Sequence, residues 1–204
     1  MKLYYSPGAC SLAPHIVARE AGLDLELVKV RLPSHTTEDG GDYYAINPRG
    51  YVPALTLDDG SLLTEAAVVI QYLADQNVSS GLMPPYDTIE RVRAQQWLVF
   101  IATELHKSFG PLFHGGSDEV RDMFTARLAT RFTELEGHFA DNRYLMGDDF
   151  RAPDAYAFTV LRWAPLQKID LSPYPNITAY VDRVAARPKV RAAMEAEGLL
   201  KRAA

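Results

Sequence analysis

The chain has 204 residues, about half of them apolar, which is enough for one large domain or two small ones. A formal net charge of −5 disfavours nucleic acid and anionic membranes as partners, because both attract basic patches. No apolar run approaches the ~18–20 residues that span a bilayer, and the N-terminus breaks too early for a signal peptide. One cysteine cannot form an internal disulfide, so we expect a reducing, cytoplasmic compartment.

The first third of the chain alternates predicted strands and helices. Four short runs have the apolar or alternating pattern of strands, at 3–5, 25–30, 52–57 and 61–63. Helical patterns follow the first and last of these runs, at 16–22 and 64–75. Asp58-Asp59-Gly60 separates the last two strands and indicates a hairpin, whereas 33–42 is a polar loop. The predicted order is β-α-β-loop-β-β-α.

Beyond residue 77 the pattern changes. A stretch rich in Gly, Ser and Pro indicates a linker, and the residues after it show helical spacing only, at 88–113, 118–139, 154–166, 177–186 and 190–197. We expect the first of these helices to be interrupted near Gly110-Pro111. The apolar stripe along 118–139 indicates core packing. The sequence therefore predicts a small α/β domain at 1–77, a linker at 78–87 and an all-helical domain at 88–204.

Cys10 and Pro53 are the two residues whose positions demand an explanation. Cys10 lies where the first strand turns into the first helix. Free cysteines are often buried as small apolar residues, but a helix N-terminus favours the reactive thiolate form, so both roles stay open. Pro53 begins an apparent strand, where it cannot donate a ladder hydrogen bond. An edge, a bulge and a cis peptide are all compatible with it.

Eight short motifs occur along the chain in a characteristic order. They lie at 1–11 (MKLYYSPGACS), 47–50 (NPRG), 52–53 (VP), 63–66 (LTEA), 71–75 (QYLAD), 104–108 (ELHKS), 154–156 (DAY) and 197–200 (EGLL). In this order and spacing, the chain resembles the bacterial beta-class glutathione S-transferases over essentially its whole length. The resemblance implies a thioredoxin-like domain followed by an all-helical domain, the cytosolic glutathione transferase fold. It also implies a homodimer and a cis Val52-Pro53 peptide.

The resemblance further implies an activity. Glutathione would be the co-substrate, and its thiolate would attack a small apolar electrophile. The implied catalytic residues are Cys10 and His106. The implied binding residues are Ala9, Cys10, His35, Val52, Pro53, Glu65, Ala66, Thr103, Glu104 and His106. We expect no metal, because the five histidines form no ligand pattern.

Each implied role has a chemical reason. Cys10 would form a mixed disulfide with glutathione, with Tyr5, Ser6 and Ser11 as rival groups for stabilising the glutathione thiolate. The Val52 backbone would pair with the glutathione backbone. The Glu65 carboxylate would meet the γ-glutamyl ammonium, and it also complements the start of a helix. The N–H of Ala66 would meet the adjacent carboxylate.

Three positions depart from the family pattern. His35 stands where a lysine is common, so a shorter and usually neutral group would reach the ligand, unless it is only a solvated loop residue. Val99 replaces a frequent asparagine. Arg151 replaces the Ser or Thr that usually begins a capping box with Asp154, so we expect a weaker cap and a purely structural Asp154.

The helical segment around His106 completes the predicted site. At ordinary helical spacing Thr103, His106 and Lys107 share one face, whereas Glu104 points elsewhere, with a dimer seam as one option. His106 would act as a hydrogen-bonding or acid–base partner.

Two other functions stay open on the sequence alone. Cys10-Ser11-Leu12-Ala13 has no second cysteine, so a glutathione-dependent oxidoreductase would need a monothiol cycle. A non-enzymatic ligand-binding or regulatory protein on the same fold is the third hypothesis. Protein that binds no glutathione would favour this last hypothesis.

Overall fold

The computed structural model describes residues 1–200. They divide into two compact units, one of residues 1–83 with the chain from Arg187 onward, and one of residues 84–186. The domain bounds 1–77, 78–87 and 88–204 stay a prediction, and their last four residues lie outside the described part. The compact units differ from these bounds at the C-terminal end, because the chain after residue 186 packs with the N-terminal residues.

A mixed sheet lies at the centre of the first unit. Its strands are β1 (Lys2–Tyr5), β2 (Glu26–Arg31), β3 (Thr36–Thr37), β4 (Ala54–Thr56) and β5 (Leu62–Thr64), in the order β3-β2-β1-β4-β5. The central strand β1 runs parallel to β2 and antiparallel to β4. The sequence did not predict β3, because a two-residue strand is too short to show alternation; it pairs with the end of β2 through Val30 and Arg31.

Three α-helices belong to this unit, α1 (Leu12–Glu20), α2 (Ala66–Asp75) and α9 (Pro188–Ala196), together with two short 3-10 helices, Tyr43–Ala45 and Val78–Ser80. Helix α1 begins four residues before the predicted start, because Pro14 is tolerated in a first helical turn. Helix α9 packs against α1. The Arg187 guanidinium joins the Glu20 carboxylate through two bonds of 2.7 and 2.9 Å. These contacts explain why the C-terminal segment belongs to the first unit.

The second unit is helical. It contains α3 (Ile89–Phe100), a π-helical segment (Ile101–His106), α4 (Lys107–His114), α5 (Asp118–Asp141), α6 (Ala152–Leu161), α7 (Trp163–Leu166) and α8 (Pro175–Ala185). The predicted interruption at Gly110-Pro111 is wrong. Pro111 lies inside α4, which continues to His114, so the lost N–H bond is tolerated there. The departure from α geometry comes earlier, in the π segment, which apolar periodicity does not reveal.

The core of the second unit follows the second half of the predicted stripe on α5, whereas Val120 and Phe124 in its first half are only partly buried. Leu128, Phe132, Leu135 and Phe139 are buried. Asp154 is also buried, and its carboxylate accepts hydrogen bonds from the N–H groups of Leu145 and Arg151 and from the Tyr180 hydroxyl, at 2.8–3.0 Å. These bonds give Asp154 the structural role expected of it.

Candidate functional site

The Cys10 thiol lies against the backbone of Val52. Its Sγ donates a hydrogen bond to the Val52 carbonyl oxygen at 3.1 Å, and the residue is only 9% exposed. The Val52–Pro53 peptide is cis, as the resemblance implied. Because the hydrogen bond needs the thiol proton, this arrangement belongs to the protonated form of Cys10. The only cysteine of the chain and the backbone expected to pair with glutathione therefore meet directly.

The turn that precedes α1 uses some of the N–H groups that the sequence argument assigned to a Cys10 thiolate. The N–H of Leu12 donates to the Ala9 carbonyl at 3.0 Å, and that of Ala13 donates to the Cys10 carbonyl at 3.2 Å. Ala9 itself donates to Ser6 at 3.0 Å. Stabilisation of a thiolate by this helix start thus rests on fewer donors than the sequence suggested.

The hydroxyl groups of Ser11 and Tyr5, the alternatives to Cys10 for stabilising the glutathione thiolate, differ in whether their protons are already used in hydrogen bonds. Ser11 is fully buried, and its hydroxyl accepts from the Ser6 N–H at 3.1 Å and donates to the Ser6 carbonyl at 3.2 Å. Its single proton is therefore used to close the turn. Burial, followed by the charges of Glu197 and Glu38, raises the pKa of Tyr5. Tyr5 consequently stays protonated near neutral pH and offers a hydroxyl donor.

Glu65 stands directly before α2 with an exposed carboxylate. Its backbone has φ +67°, which non-glycine residues rarely adopt, and such strain clusters at functional sites. The carboxylate forms an ion pair of 3.1 Å with Arg49. Ala66 begins the helix, whose N-terminus favours negative charge. Glu65, which can bind a cation, is thus directly next to a helix N-terminus that favours an anion. The sequence analysis did not predict Arg49 as the partner of Glu65.

His35 is built into its loop rather than fully solvated. Its ring packs against that of Tyr44, with the centroids 4.4 Å apart and the planes tilted by 30°. Its Nδ1 is buried and has no hydrogen-bond partner among residues 1–200. A Cβ at Gly50 would come within 2.8 Å of that nitrogen, so only glycine leaves room for the imidazole. The backbone at His35 is left-handed, with φ +49°.

His106 in the second unit is an uncharged, partly buried imidazole. Its Nδ1 lies 2.7 Å from the Tyr156 hydroxyl, and its ring meets Trp163 edge-on with centroids 5.0 Å apart. Burial and, secondarily, the Lys107 charge lower the pKa of His106 to about 4. The side chain is therefore neutral near pH 7 and has both a donor and an acceptor nitrogen.

The π geometry changes the predicted face around His106. Its hydrogen bonds join residues five apart, so ordinary helical spacing does not apply to Thr103. The Thr103 hydroxyl donates to the Val99 carbonyl at 2.9 Å. The Glu104 carboxylate lies between Arg127 and Arg131 of α5, at 3.2 and 3.1 Å. Glu104 thus has intramolecular partners, and no contact across a dimer seam is needed to explain it.

The two units divide the predicted site residues between them. The first contains Ala9, Cys10, His35, Val52, Pro53, Glu65 and Ala66, and the second contains Thr103, Glu104 and His106. Within residues 1–200, no group of three His, Cys, Asp or Glu side chains is arranged to hold a metal ion. Over the same residues, none of the helices is both long and apolar enough to cross a membrane.

Comparison with known proteins identifies the family. Residues 8–76 match the N-terminal domain of glutathione S-transferases, and residues 100–188 match the C-terminal domain. Glutathione S-transferase GstA of Escherichia coli O157:H7 is 46% identical over 98% of this chain and 100% of its own length. The chain belongs to the glutathione S-transferase family. It is therefore an enzyme with the transferase fold, as the motifs indicated.

Solved structures support the beta class. The beta-class glutathione S-transferase of Sphingomonas chungbukensis is 44% identical, with a TM-score of 0.95 over 98% of this chain and 100% of its own. A sphingomonad glutathione S-transferase solved in complex with glutathione is also 44% identical, with a TM-score of 0.94 and the same coverage.

Proposed function

We propose that this transferase binds glutathione on the first unit and joins its thiolate to small apolar electrophiles. The observation that carries the proposal is the contact between the Cys10 thiol and the carbonyl of the cis Val52–Pro53 segment. A bound peptide that pairs with the Val52 backbone brings its own thiol close to Cys10.

Charged groups beside this contact match the charges of glutathione. The Glu65 carboxylate would bind the γ-glutamyl ammonium, and the N–H of Ala66 at the start of α2 would bind the adjacent carboxylate. In the structure, the Glu65 carboxylate is paired with Arg49. Both side chains are more than 60% exposed, so this ion pair is weak and the ligand ammonium can replace Arg49. His35 would reach a ligand carboxylate from its slot beside Gly50. Ala9 and Pro53 would line the same site.

Cys10 supplies a second chemistry at the same place. Its thiolate would attack one sulfur of oxidised glutathione. The glutathione disulfide would break, a Cys10–glutathione disulfide would form, and the other glutathione would leave as a thiolate. Cys10 would first give its proton to solvent. The Val52 carbonyl then loses its donor and becomes free to accept from the glutathione backbone.

His106 and its neighbours would contact the electrophilic substrate. A neutral imidazole bonded to the Tyr156 hydroxyl has a second ring nitrogen that would hydrogen-bond a bound ligand. A pKa of about 4 makes His106 a weak general base near pH 7, so hydrogen bonding is the role that we propose for it. Thr103 would offer its hydroxyl to the bound substrate. Glu104 would act indirectly, because its ion pairs with α5 fix the segment that contains His106. These are proposals from the family resemblance.

The assembly and compartment are also proposals. Ile89, Val92 and Val99 are exposed apolar residues on one side of α3, which supports a homodimer. A chain with one cysteine suits the reducing cytoplasm.

Calorimetric titration with glutathione tests the binding site. We expect Glu65→Gln to weaken binding about tenfold, because the ammonium loses a charged acceptor. The matched control is Glu119→Gln, which removes an exposed acid from the first turn of α5 and should leave binding unchanged. Wild-type affinity in Glu65→Gln would contradict the site. Turnover of a nitro-activated aryl halide, measured in parallel, tests the transfer.

A further inference from the structure

The Glu197 carboxylate is completely buried just after α9, yet the proposed chemistry makes no use of it. One oxygen accepts from the Gly8 N–H at 2.9 Å. The other lies 2.9 Å from Nδ1 of His15, whose Nε2 accepts from the Arg19 guanidinium at 2.9 Å. This carboxylate therefore joins the C-terminal segment to the turn before α1.

The hydrogen-bond directions in this network are determined. An arginine nitrogen only donates, so the His15 Nε2 must accept, and the proton of a neutral His15 is on Nδ1. That proton points to Glu197, which as a carboxylate has acceptors only. Glu197 stands at the C-terminal end of α9, where a negative charge opposes the helix dipole. Its position is thus explained by its partners and not by helix capping.

Gly8 is the partner that matters for the active-site turn. It lies two residues before Cys10 and has φ +72°, a conformation in which glycine is favoured. A Cβ at Gly8 would lie 3.3 Å from Leu199, so the C-terminal segment also packs against this point. Glu197 and Leu199 hold the turn from outside, whereas the bonds between Ser6 and Ser11 hold it from within.

We propose that Glu197 is a positioning residue for Cys10. It holds the Gly8 N–H, and through the turn it keeps the thiol against the Val52 carbonyl. The functional consequence rests on the proposed reaction of Cys10 with oxidised glutathione. The C-terminal segment is then part of the thiol site, although it lies more than 180 residues away along the chain.

The experiment compares two variants that loosen the same segment at different points. Glu197→Gln keeps a carbonyl for Gly8, but its amide N–H faces the Nδ1–H of His15, so one bond must break. Arg187→Gln breaks the ion pair with Glu20 on α1, a contact that lies outside the turn. Intact-mass spectra give the rate of glutathione addition to Cys10, and amide hydrogen exchange gives the protection of residues 6–11.

We expect Glu197→Gln to slow the addition at least fivefold and to speed exchange of the Gly8 amide, with Arg187→Gln within twofold of wild type in both. If Glu197 only stabilised the fold, two variants with equal melting temperatures would show the same change in addition rate and in amide exchange. Equal rates and equal exchange in the two variants would overturn the proposal.

Two further arms keep the outcomes distinct. Should Glu197→Gln fail to fold, Glu197→Asp keeps the buried negative charge but shortens its reach to the Gly8 N–H, and we expect an intermediate slowing. Wild-type rates in Glu197→Asp would overturn the proposal. If wild-type Cys10 forms no adduct, the proposed thiol chemistry fails, and exchange of the Gly8 amide alone decides the positioning role. Faster exchange in Glu197→Gln supports that role, and unchanged exchange overturns it.

Discussion

His106 Nδ1 and the Tyr156 hydroxyl lie 2.7 Å apart, joining a π-helical segment to α6 through a partly buried polar contact. The pKa of His106 is lowered from 6.5 to about 4, first by burial and then by Lys107. The folded protein therefore holds this imidazole in its neutral form throughout the neutral and mildly acidic range.

This pKa predicts an acid-sensitive stability. Between the unfolded pKa of 6.5 and the folded value of about 4, the unfolded chain binds a proton that the folded protein does not bind. The free energy of unfolding therefore rises with pH across this window, and the loss on acidification is on the order of 3 kcal/mol. Urea titrations of His106→Asn between about pH 4 and 7 should show a shallower slope than wild type.

The matched control for this prediction is His114→Asn, which removes an exposed histidine at the end of α4. It should retain the wild-type slope. The same slope in His106→Asn and wild type would mean that His106 is not the group responsible.

Replacement of Cys10 by alanine tests the contact with Val52. The Val52 carbonyl loses one donor, so we expect a decrease of about 1 kcal/mol in the free energy of unfolding. The adduct with oxidised glutathione should appear in wild type, be reversed by reductant and disappear in Cys10→Ala. Peptide mapping with intact-mass spectra gives the answer, and a folded wild-type protein without adduct would contradict the thiol chemistry.

His35 predicts a pH-dependent affinity for glutathione. An imidazole that meets a ligand carboxylate binds it better when protonated, so affinity should increase on acidification from about pH 8 to 5.5. Calorimetry with wild type and His35→Ala measures this. The hypothesis is abandoned if binding is flat over this range, or if His35→Ala behaves as wild type does.

Gly50 should be one of the least replaceable residues of the first unit. Its φ is +69°, and a Cβ would lie 2.7–2.9 Å from the rings of Tyr44 and His35. We expect Gly50→Ala to reduce the free energy of unfolding by about 2–4 kcal/mol, since backbone strain and steric overlap add. Glutathione affinity should decrease too, because the His35 ring must move.

Gly60 provides the control for Gly50. Its φ is +84°, but nothing lies within 4 Å of a Cβ placed there. Gly60→Ala should therefore lower the free energy of unfolding by only about 1 kcal/mol, from backbone strain alone. Equal losses in the two variants would show that the space beside His35 is not limiting.

The predictability of each feature follows from how local its cause is. The hairpin around Asp58-Asp59-Gly60 was predictable, since contiguous turn residues encode it. The α5 stripe was predictable because residues three or four apart share a helix face. The π segment before Lys107 and the two-residue strand β3 were not, since neither produces a periodic pattern of its own.

By itself, the sequence determined the order of the longer elements, the family and the place of Cys10 between β1 and α1. These depend on short motifs and on periodicity, which neighbouring residues express directly. Only the tertiary structure decided that Glu104 lies between two arginines of α5, and that Glu197 holds the Gly8 N–H. Such contacts depend on the path of the chain over tens to hundreds of residues, and no local propensity records that path.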